Sequence, residues 1–483
     1  MQRLSDKEHG QMLAASDDTY PDVMLAALVE TLDADQDGLV TLADFADSPA
    51  QSNETLQQVH VSLTGQESEM LVMFVTLGSD PVPNSQVQVQ IDGSWQDFNT
   101  TFETYSVPSR WWEPEGWQGW IYTAKVGGLE QGKSYPYQIV SPAGNRTNLT
   151  FTMPRFAAEG TALPPTHLGV WGDMGTVAPL GFKVFDKILA DHQAGGDSAF
   201  NATMLFGDIS YAGIDTNFEI LNITSADEWE HVWDTFGEQI EPLASQVPFM
   251  VGVGNHDMFY NGSAFATRFH MPWEQSQGVP GNFWYSFDIG SVHVISSSSE
   301  HDYSSPDSPQ MQWLAADLAK ATANRDKVPW IVFTIHKPMY SSDMDFNHPL
   351  TSPEQMAFEP FLLEHGVDLV LVGHEHCYER IHPVVNGSVT DHPTTGPDGN
   401  DVYQSPSAPP HVVIGSAGAL QEESWMKPQP EWSAVRFANG AGHFYTDTFG
   451  YGSLRAHNAT HLSVEFVPIS GDGVISDKFW ITK

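Results

Sequence analysis

Cysteine occurs once in the 483 residues, at Cys377, so no disulfide can form within the chain. Basic residues are scarce too: 20 Lys and Arg stand against 61 Asp and Glu, a formal charge of -41. A surface of that sign repels nucleic acid and anionic membrane and excludes a role in gripping phosphate backbones. The same acidity also serves solubility in acid or salty surroundings. No run approaches 18 consecutive apolar residues, so no membrane span is expected. No signal peptide is visible, because the apolar run at 23–29 follows Asp17, Asp18 and Asp22 instead of a basic stretch.

What is present describes a globular chain. Apolar residues make up 41% and charged residues 17%, and the length allows about three domains, each with a core of its own. Sequons for Asn glycosylation are dense, at Asn53, Asn99, Asn145, Asn148, Asn201, Asn222, Asn261, Asn386 and Asn458. One would mean little. Nine among 17 asparagines point to a secreted or extracellular protein, with a vacuolar or lysosomal destination as the alternative.

Three segments differ in pattern. Residues 1–54 are acidic, with helical periodicity over 20–32 running into Asp33-Ala34-Asp35-Gln36-Asp37-Gly38. Asp33, Asp35 and Asp37 occupy loop positions 1, 3 and 5 of an EF-hand, with Gly38 at the sharp turn. The Leu39 carbonyl falls at position 7, Thr41 at 9 and Asp44 at 12, where a longer Glu is usual. This small helical EF-hand-like segment is expected to bind Ca²⁺; the competing reading is a solvated acidic turn. Residues 55–156 alternate β-branched and aromatic stretches at 59–63, 70–75, 86–91, 120–126, 135–140 and 147–152, which predicts a β-sandwich with no catalytic constellation and a structural role. From 157 to 483 the pattern turns to buried strands alternating with helices, an α/β layered arrangement. Strands are expected at 168–171, 202–206, 249–253, 292–296, 330–334, 369–372 and 412–414. Helices are expected at 180–192, 227–243, 310–323 and 354–365, and a long surface loop at 391–410.

Polar residues cluster where five of those strands end. The five segments are Trp171-Gly172-Asp173-Met174-Gly175, Gly207-Asp208-Ile209-Ser210-Tyr211, Gly254-Asn255-His256-Asp257, His336-Lys337-Pro338, and Gly373-His374-Glu375-His376-Cys377-Tyr378-Glu379-Arg380. Glycines let the backbone turn sharply there, so the next side chain points over the sheet edge. A lone Asp after a strand is usually a cap, and a lone His is usually a core residue. Five such motifs together are a metal-binding pattern, and a phosphate site in so acidic a chain must take its positive charge from metals.

In these motifs the sequence resembles the purple acid phosphatases of the metallophosphoesterase superfamily, over roughly residues 55–483. Tyr211 after Gly-Asp and the ending Tyr378-Glu379-Arg380 single out that family. The resemblance implies a fibronectin type III-like sandwich followed by an α/β metallophosphoesterase sandwich. It implies that Asp173, Tyr211 and His376 bind Fe³⁺, that Asn255, His336 and His374 bind a divalent ion (Zn²⁺, Mn²⁺ or Fe²⁺), and that Asp208 bridges them. Ligand chemistry agrees, since phenolate and carboxylates suit a hard trivalent ion and imidazoles a divalent one. It further implies hydrolysis of small phosphorylated substrates, with a metal-bound hydroxide displacing the alcohol in line and His256 binding the phosphoryl group and protonating the leaving oxygen. His348 stands near, but not at, the position of a further substrate histidine of the family. Cys377 reads as a small buried residue, and Arg380 as a loop anchor held by carboxylates. The alternatives are phosphodiester or nucleotide pyrophosphate cleavage by the same metals, and a calcium-responsive scaffold glycoprotein with an inert domain. Oligomeric state is not legible.

Overall fold

Gln86–Ile91 alternates polar and apolar side chains, and the strand it forms buries Val87, Val89 and Ile91 while the glutamines stay partly exposed. In the computed structural model the described residues are 56–108, 116–158, 160, 162–176, 180–212, 230–344, 352–419, 421, 424–437, 448–469 and 476–483. The calcium-loop residues Asp33, Asp35, Asp37, Leu39, Thr41 and Asp44 lie outside them, as does His348.

The N-terminal β-sandwich contains β1 (Leu56–Leu63), β2 (Glu69–Leu77), β3 (Gln86–Ile91), β4 (Ser94–Glu103), β5 (Gly119–Gly127), β6 (Ser134–Ser141) and β7 (Gly144–Thr152), in the order β1-β2-β5-β4-β3-β6-β7. Strand β4 was not expected. It pairs with β3 over its first half and with β5 over its second, joining the two layers. No residue of it is buried, so it lacks the hydrophobic alternation by which a strand is recognised.

The α/β part opens with β8 (Thr166–Trp171), α1 (Gly181–Gln193), β9 (Ala202–Phe206), α2 (Glu230–Ala244), β10 (Phe249–Gly252), α3 (Ser263–Arg268) and α4 (Trp273–Ser276). It continues through β11 (Tyr285–Ile289), β12 (Val292–Ser296), α5 (Pro309–Ala323), β13 (Trp330–Ile335), α6 (Pro353–Glu364), β14 (Leu369–Val372) and β15 (Tyr378–Ile381). After a small hairpin, β16 (Val384–Val385) and β17 (Ser388–Val389), come β18 (Thr394–Thr395), β19 (Asp401–Gln404), β20 (His411–Ile414), β21 (Ser433–Phe437), β22 (Gly450–Asn458), β23 (His461–Pro468) and β24 (Asp477–Thr482). Ser308 and Ser352 accept hydrogen bonds from Met311 and Gln355 as N-caps of α5 and α6, each followed by proline in the first turn.

Two sheets result, ordered β10-β9-β8-β22-β23-β24-β19-β18 and β11-β12-β13-β14-β20-β15-β21. Strands β10, β9 and β8 run parallel at one edge of the first sheet, and β12, β13, β14 and β20 run parallel in the middle of the second. Residues 391–410 are not simply a surface loop. They contain β18 and β19, and β19 pairs in parallel with β24, with Tyr403 fully buried at that register. One apolar core runs without a break from the sandwich into the first sheet, and a second packs α5 and α6 against the other sheet.

Candidate metal centre

The chemistry-bearing segments lie at the carboxyl ends of strands from both sheets. Asp173 follows β8, Asp208 and Tyr211 follow β9, and Asn255 and His256 follow β10; His336 follows β13, and His374 and His376 follow β14. The sheets approach closely there: a Cβ placed on Gly172 would lie 3.1 Å from the Gly373 Cα. The Gly172 amide also donates to the Ile414 carbonyl at 2.9 Å, crossing from one sheet to the other. Gly207 and Gly373 give room to the site itself, since a methyl group there would lie 2.5 Å from His336 Nδ1 or 2.4 Å from Asp173 Oδ2.

Four of the side chains hang from left-handed backbone, with φ of 61° at Asp173, 50° at Asp208, 57° at Tyr211 and 71° at His374. Such conformations cost about 1–3 kcal/mol each in non-glycine residues and persist where the surroundings over-determine them. Here they turn each side chain back over the sheet edge.

The donors gather in two groups. In one, the Tyr211 hydroxyl lies 3.0 Å from Asp173 Oδ1 and 2.8 Å from His376 Nε2. In the other, His336 Nε2 is 3.3 Å from Asp208 Oδ2 and 3.1 Å from Asn255 Oδ1. The donor atoms of Asp208, His336 and His374 fall within 4.8 Å of one another. His336 Nδ1 sits 3.1 Å from the Phe206 carbonyl. That oxygen can only accept, so Nδ1 carries a proton, and Nε2 is the nitrogen turned toward Asp208 and Asn255. His256 differs from the rest. Its amide donates to Asp208 Oδ1 at 2.9 Å, its ring lies 5.0 Å from that of Tyr211, and its side chain is 33% exposed.

Charge in the site is out of balance without a cation. Burial pulls the Asp208 carboxyl up, but His336, then His256, hold it below the usual carboxylate range. Burial would likewise lower His336; the Asp208 and Asp173 carboxylates overcome it and raise the imidazole to about 10. Burial and those same two carboxylates push the Tyr211 phenol well above its ordinary value. The cluster therefore draws protons, as buried acids facing acceptor atoms must. Oxygen and nitrogen donors converging on that negative potential fit hard and borderline metal ions.

Asp257 supports the site in a way the sequence pattern did not reveal, although it stands in the motif beside Asn255. It is fully buried and accepts hydrogen bonds from the amides of Asp208, Ile209 and Gly254. Behind the His376 segment, Tyr378 and Arg380 both donate to Asp477 of β24, at 2.8 and 2.7 Å, and Arg380 also reaches Asp401 at 2.7 Å. Arg380 thus anchors the loop through carboxylates, as expected, and Cys377 is buried beneath it.

Three family models match: the purple acid phosphatase N-terminal domain over residues 56–153, the calcineurin-like phosphoesterase over 167–378, and the iron/zinc purple acid phosphatase-like protein C over 408–478. The chain is 30% identical over 447 residues to mouse acid phosphatase type 7, covering 89% of this chain and 91% of that protein. It is 31% identical to purple acid phosphatase 18 of Arabidopsis thaliana, over 85% and 80% of the two chains. The chain belongs to the purple acid phosphatase family. As a purple acid phosphatase it is a metal-dependent acid phosphatase that hydrolyses phosphate monoesters at a dinuclear centre. The fold agrees with that of the purple acid phosphatase PPD1 of yellow lupin, at a TM-score of 0.70 and 22% identity over 89% of this chain and 74% of that one.

Proposed function

We propose that the two donor groups divide the metals, with Asp173, Tyr211 and His376 holding Fe³⁺, Asn255, His336 and His374 holding a divalent ion, and Asp208 shared between them. The supporting observation is the grouping itself: phenol, carboxylate and imidazole of Tyr211, Asp173 and His376 meet in one group, and the amide of Asn255 and the imidazole of His336 meet beside Asp208 in the other. When bound, such a pair of ions supplies positive charge to the phosphoryl oxygens and activates water for in-line displacement.

The chain's own residues do the rest. Asp208 and Asp173 orient the donors, and His336 is locked by the Phe206 carbonyl. His256 is accessible where His336 is not, at 33% against 0% side-chain exposure. A substrate can reach it, so it binds the phosphoryl group and protonates the leaving alkoxide. Secretion is supported by the sequons, of which Asn99, Asn145, Asn148, Asn261, Asn386 and Asn458 are exposed. Calcium binding at Asp33 to Asp44 rests on donor spacing alone, and the divisions at 54/55 and 156/157 on the change of sequence pattern.

The test is metal analysis with turnover. Asn255→Ala and His336→Ala should each lose the divalent ion and nearly all hydrolysis of p-nitrophenyl phosphate while the protein stays folded. A variant that kept two metals and a near-native rate would sink the assignment. Bis-p-nitrophenyl phosphate assayed beside the monoester measures the competing diesterase activity.

A further inference from the structure

A buried arginine sits where the β-sandwich meets the catalytic sheets. Arg268, the last residue of α3, is 4% exposed. Its Nη1 donates to Asp234 Oδ1 at 2.9 Å and to Gln58 Oε1 at 3.1 Å, and its Nε donates to the Tyr105 hydroxyl at 2.7 Å. Nη2 lies 3.6 Å from Glu230 Oε2, and the guanidinium carbon is 4.4 Å from the centroid of the Trp117 ring. Gln58, Tyr105 and Trp117 belong to the sandwich, Glu230 and Asp234 to α2. The partners also bind one another: Trp117 Nε1 and Gln58 Nε2 both donate to Asp234 at 3.0 Å, and the Tyr105 hydroxyl donates to Glu230.

Such a cluster is a poor source of stability, because desolvating the charges costs about as much as their attraction returns. What a forked guanidinium with five donors adds is a fixed geometry. The local backbone is shaped to deliver it. Gln58 has a φ of 61° at a bulge in β1, between Gln57 and His60, and a Cβ on Gly237 of α2 would lie 2.4 Å from the Gln58 Oε1. Glycine at 237 is therefore what admits the Gln58 side chain to the helix surface.

Both helices that meet at Arg268 lead to the metal centre. Gln239 of α2 donates to the Gly175 carbonyl at 3.3 Å, two residues beyond Asp173. Helix α3 follows the 3₁₀ turn Asn255–Asp257, which carries Asn255 and His256. We propose that Arg268 is a positioning residue through which the β-sandwich sets α2 and α3, and with them the segments bearing Asp173, Asn255 and His256, in the register that turnover requires. The sandwich then shapes catalysis without touching substrate. This rests on the metal-centre reading above, but not on which ion occupies which side.

Two variants loosen the fork without emptying the space. Tyr105→Phe removes the hydroxyl that links Arg268 to Glu230, and Arg268→Lys keeps the charge but loses the planar donors. Arg146→Met is the comparison, since Arg146 of β7 pairs with Glu241 near the other end of α2 across the same contact. Steady-state kinetics on p-nitrophenyl phosphate, metal content and Tm are measured for all three. In Tyr105→Phe and Arg268→Lys, kcat should fall by about 10- to 100-fold, the scale of a small misplacement at the reacting atoms, with KM and both metals retained. Arg146→Met should lower Tm and leave kcat in place. Retained metals separate this outcome from a wrong ligand assignment, which shows in Asn255→Ala and His336→Ala. If Arg268→Lys does not fold, Tyr105→Phe decides. Unchanged kcat in the folded variants, or a loss no larger than in Arg146→Met, overturns the proposal and leaves Arg268 a structural contact.

Discussion

The carboxylate of Asp257 holds the backbone of Asp208: its Oδ2 accepts the Asp208 amide at 2.9 Å, and its Oδ1 the next amide, of Ile209, at 3.0 Å. Oδ2 also accepts the Gly254 amide at 2.8 Å. Two loops from neighbouring strands are thereby tied to one buried group. Asp257→Asn turns one acceptor into a donor facing a backbone N–H, and a buried group left unpaired costs about 1–3 kcal/mol. The variant should lose stability on that scale in a denaturant titration and lose most of its turnover. Near-native kcat would show that Asp208 keeps its position without this tie.

Gly254 leaves no room for any side chain. A methyl group there would lie 2.2 Å from Asp208 Oδ1 and 2.3 Å from the Asp208 nitrogen. Gly254→Ala must displace Asp208, at an overpacking cost of about 1–3 kcal/mol. The folded variant should bind less than two metal equivalents by elemental analysis. Full occupancy would mean that the loop relaxes freely, contrary to the packing seen.

Tyr211 is the proposed ligand whose role a spectrum can read directly. Its hydroxyl stands between Asp173 and His376. If the phenol oxygen binds Fe³⁺, the iron-loaded protein should be pink to purple by charge transfer, and Tyr211→Phe should be colourless with measurable phosphatase activity. An iron-replete wild type without a visible band would count against Tyr211 as a ligand.

A pH effect is expected at a histidine outside the proposed ligand set. His293 of β12 is held between Asp288 at 2.7 Å and Asp317 at 3.0 Å. Burial would lower its pKa, but the two carboxylates prevail and raise it to about 9 from 6.5. A folded-state pKa above the unfolded one gives stability that is fully present below 6.5 and is lost as pH rises through 9. The shift is worth about 3 kcal/mol. His293→Gln should therefore be more destabilising at pH 6 than at pH 10, read from urea midpoints. An equal penalty at both would mean the pair is not ionised as drawn.

The local pattern was enough for the strands that carry chemistry. Buried runs such as Ala202–Phe206 and Leu369–Val372 end in Gly-Asp and Gly-His, and the structure brings those side chains together. Their legibility has a physical cause: a parallel strand buried on both faces is continuously apolar, so its polar end stands out. Strand β4 lacks that contrast because none of it is buried, and β19 hid within a stretch rich in Pro, Gly and Asp.

By itself the sequence determined which kinds of atoms could meet: seven oxygen and nitrogen donors at strand ends, in a chain with few cations. Tertiary structure alone decided how they group. Asp173 reaches His376 because Gly172 lets the first sheet come within contact of Gly373 in the second, and Arg380 of β15 finds Asp477 of β24 because the two sheets pack together there, Tyr378 against Phe466. The junction at Arg268 likewise joins residues up to 210 positions apart. Residue type and spacing report what a segment prefers locally. Which distant segment it meets depends on the register and close packing of whole sheets, and neither is written in any short stretch of the chain.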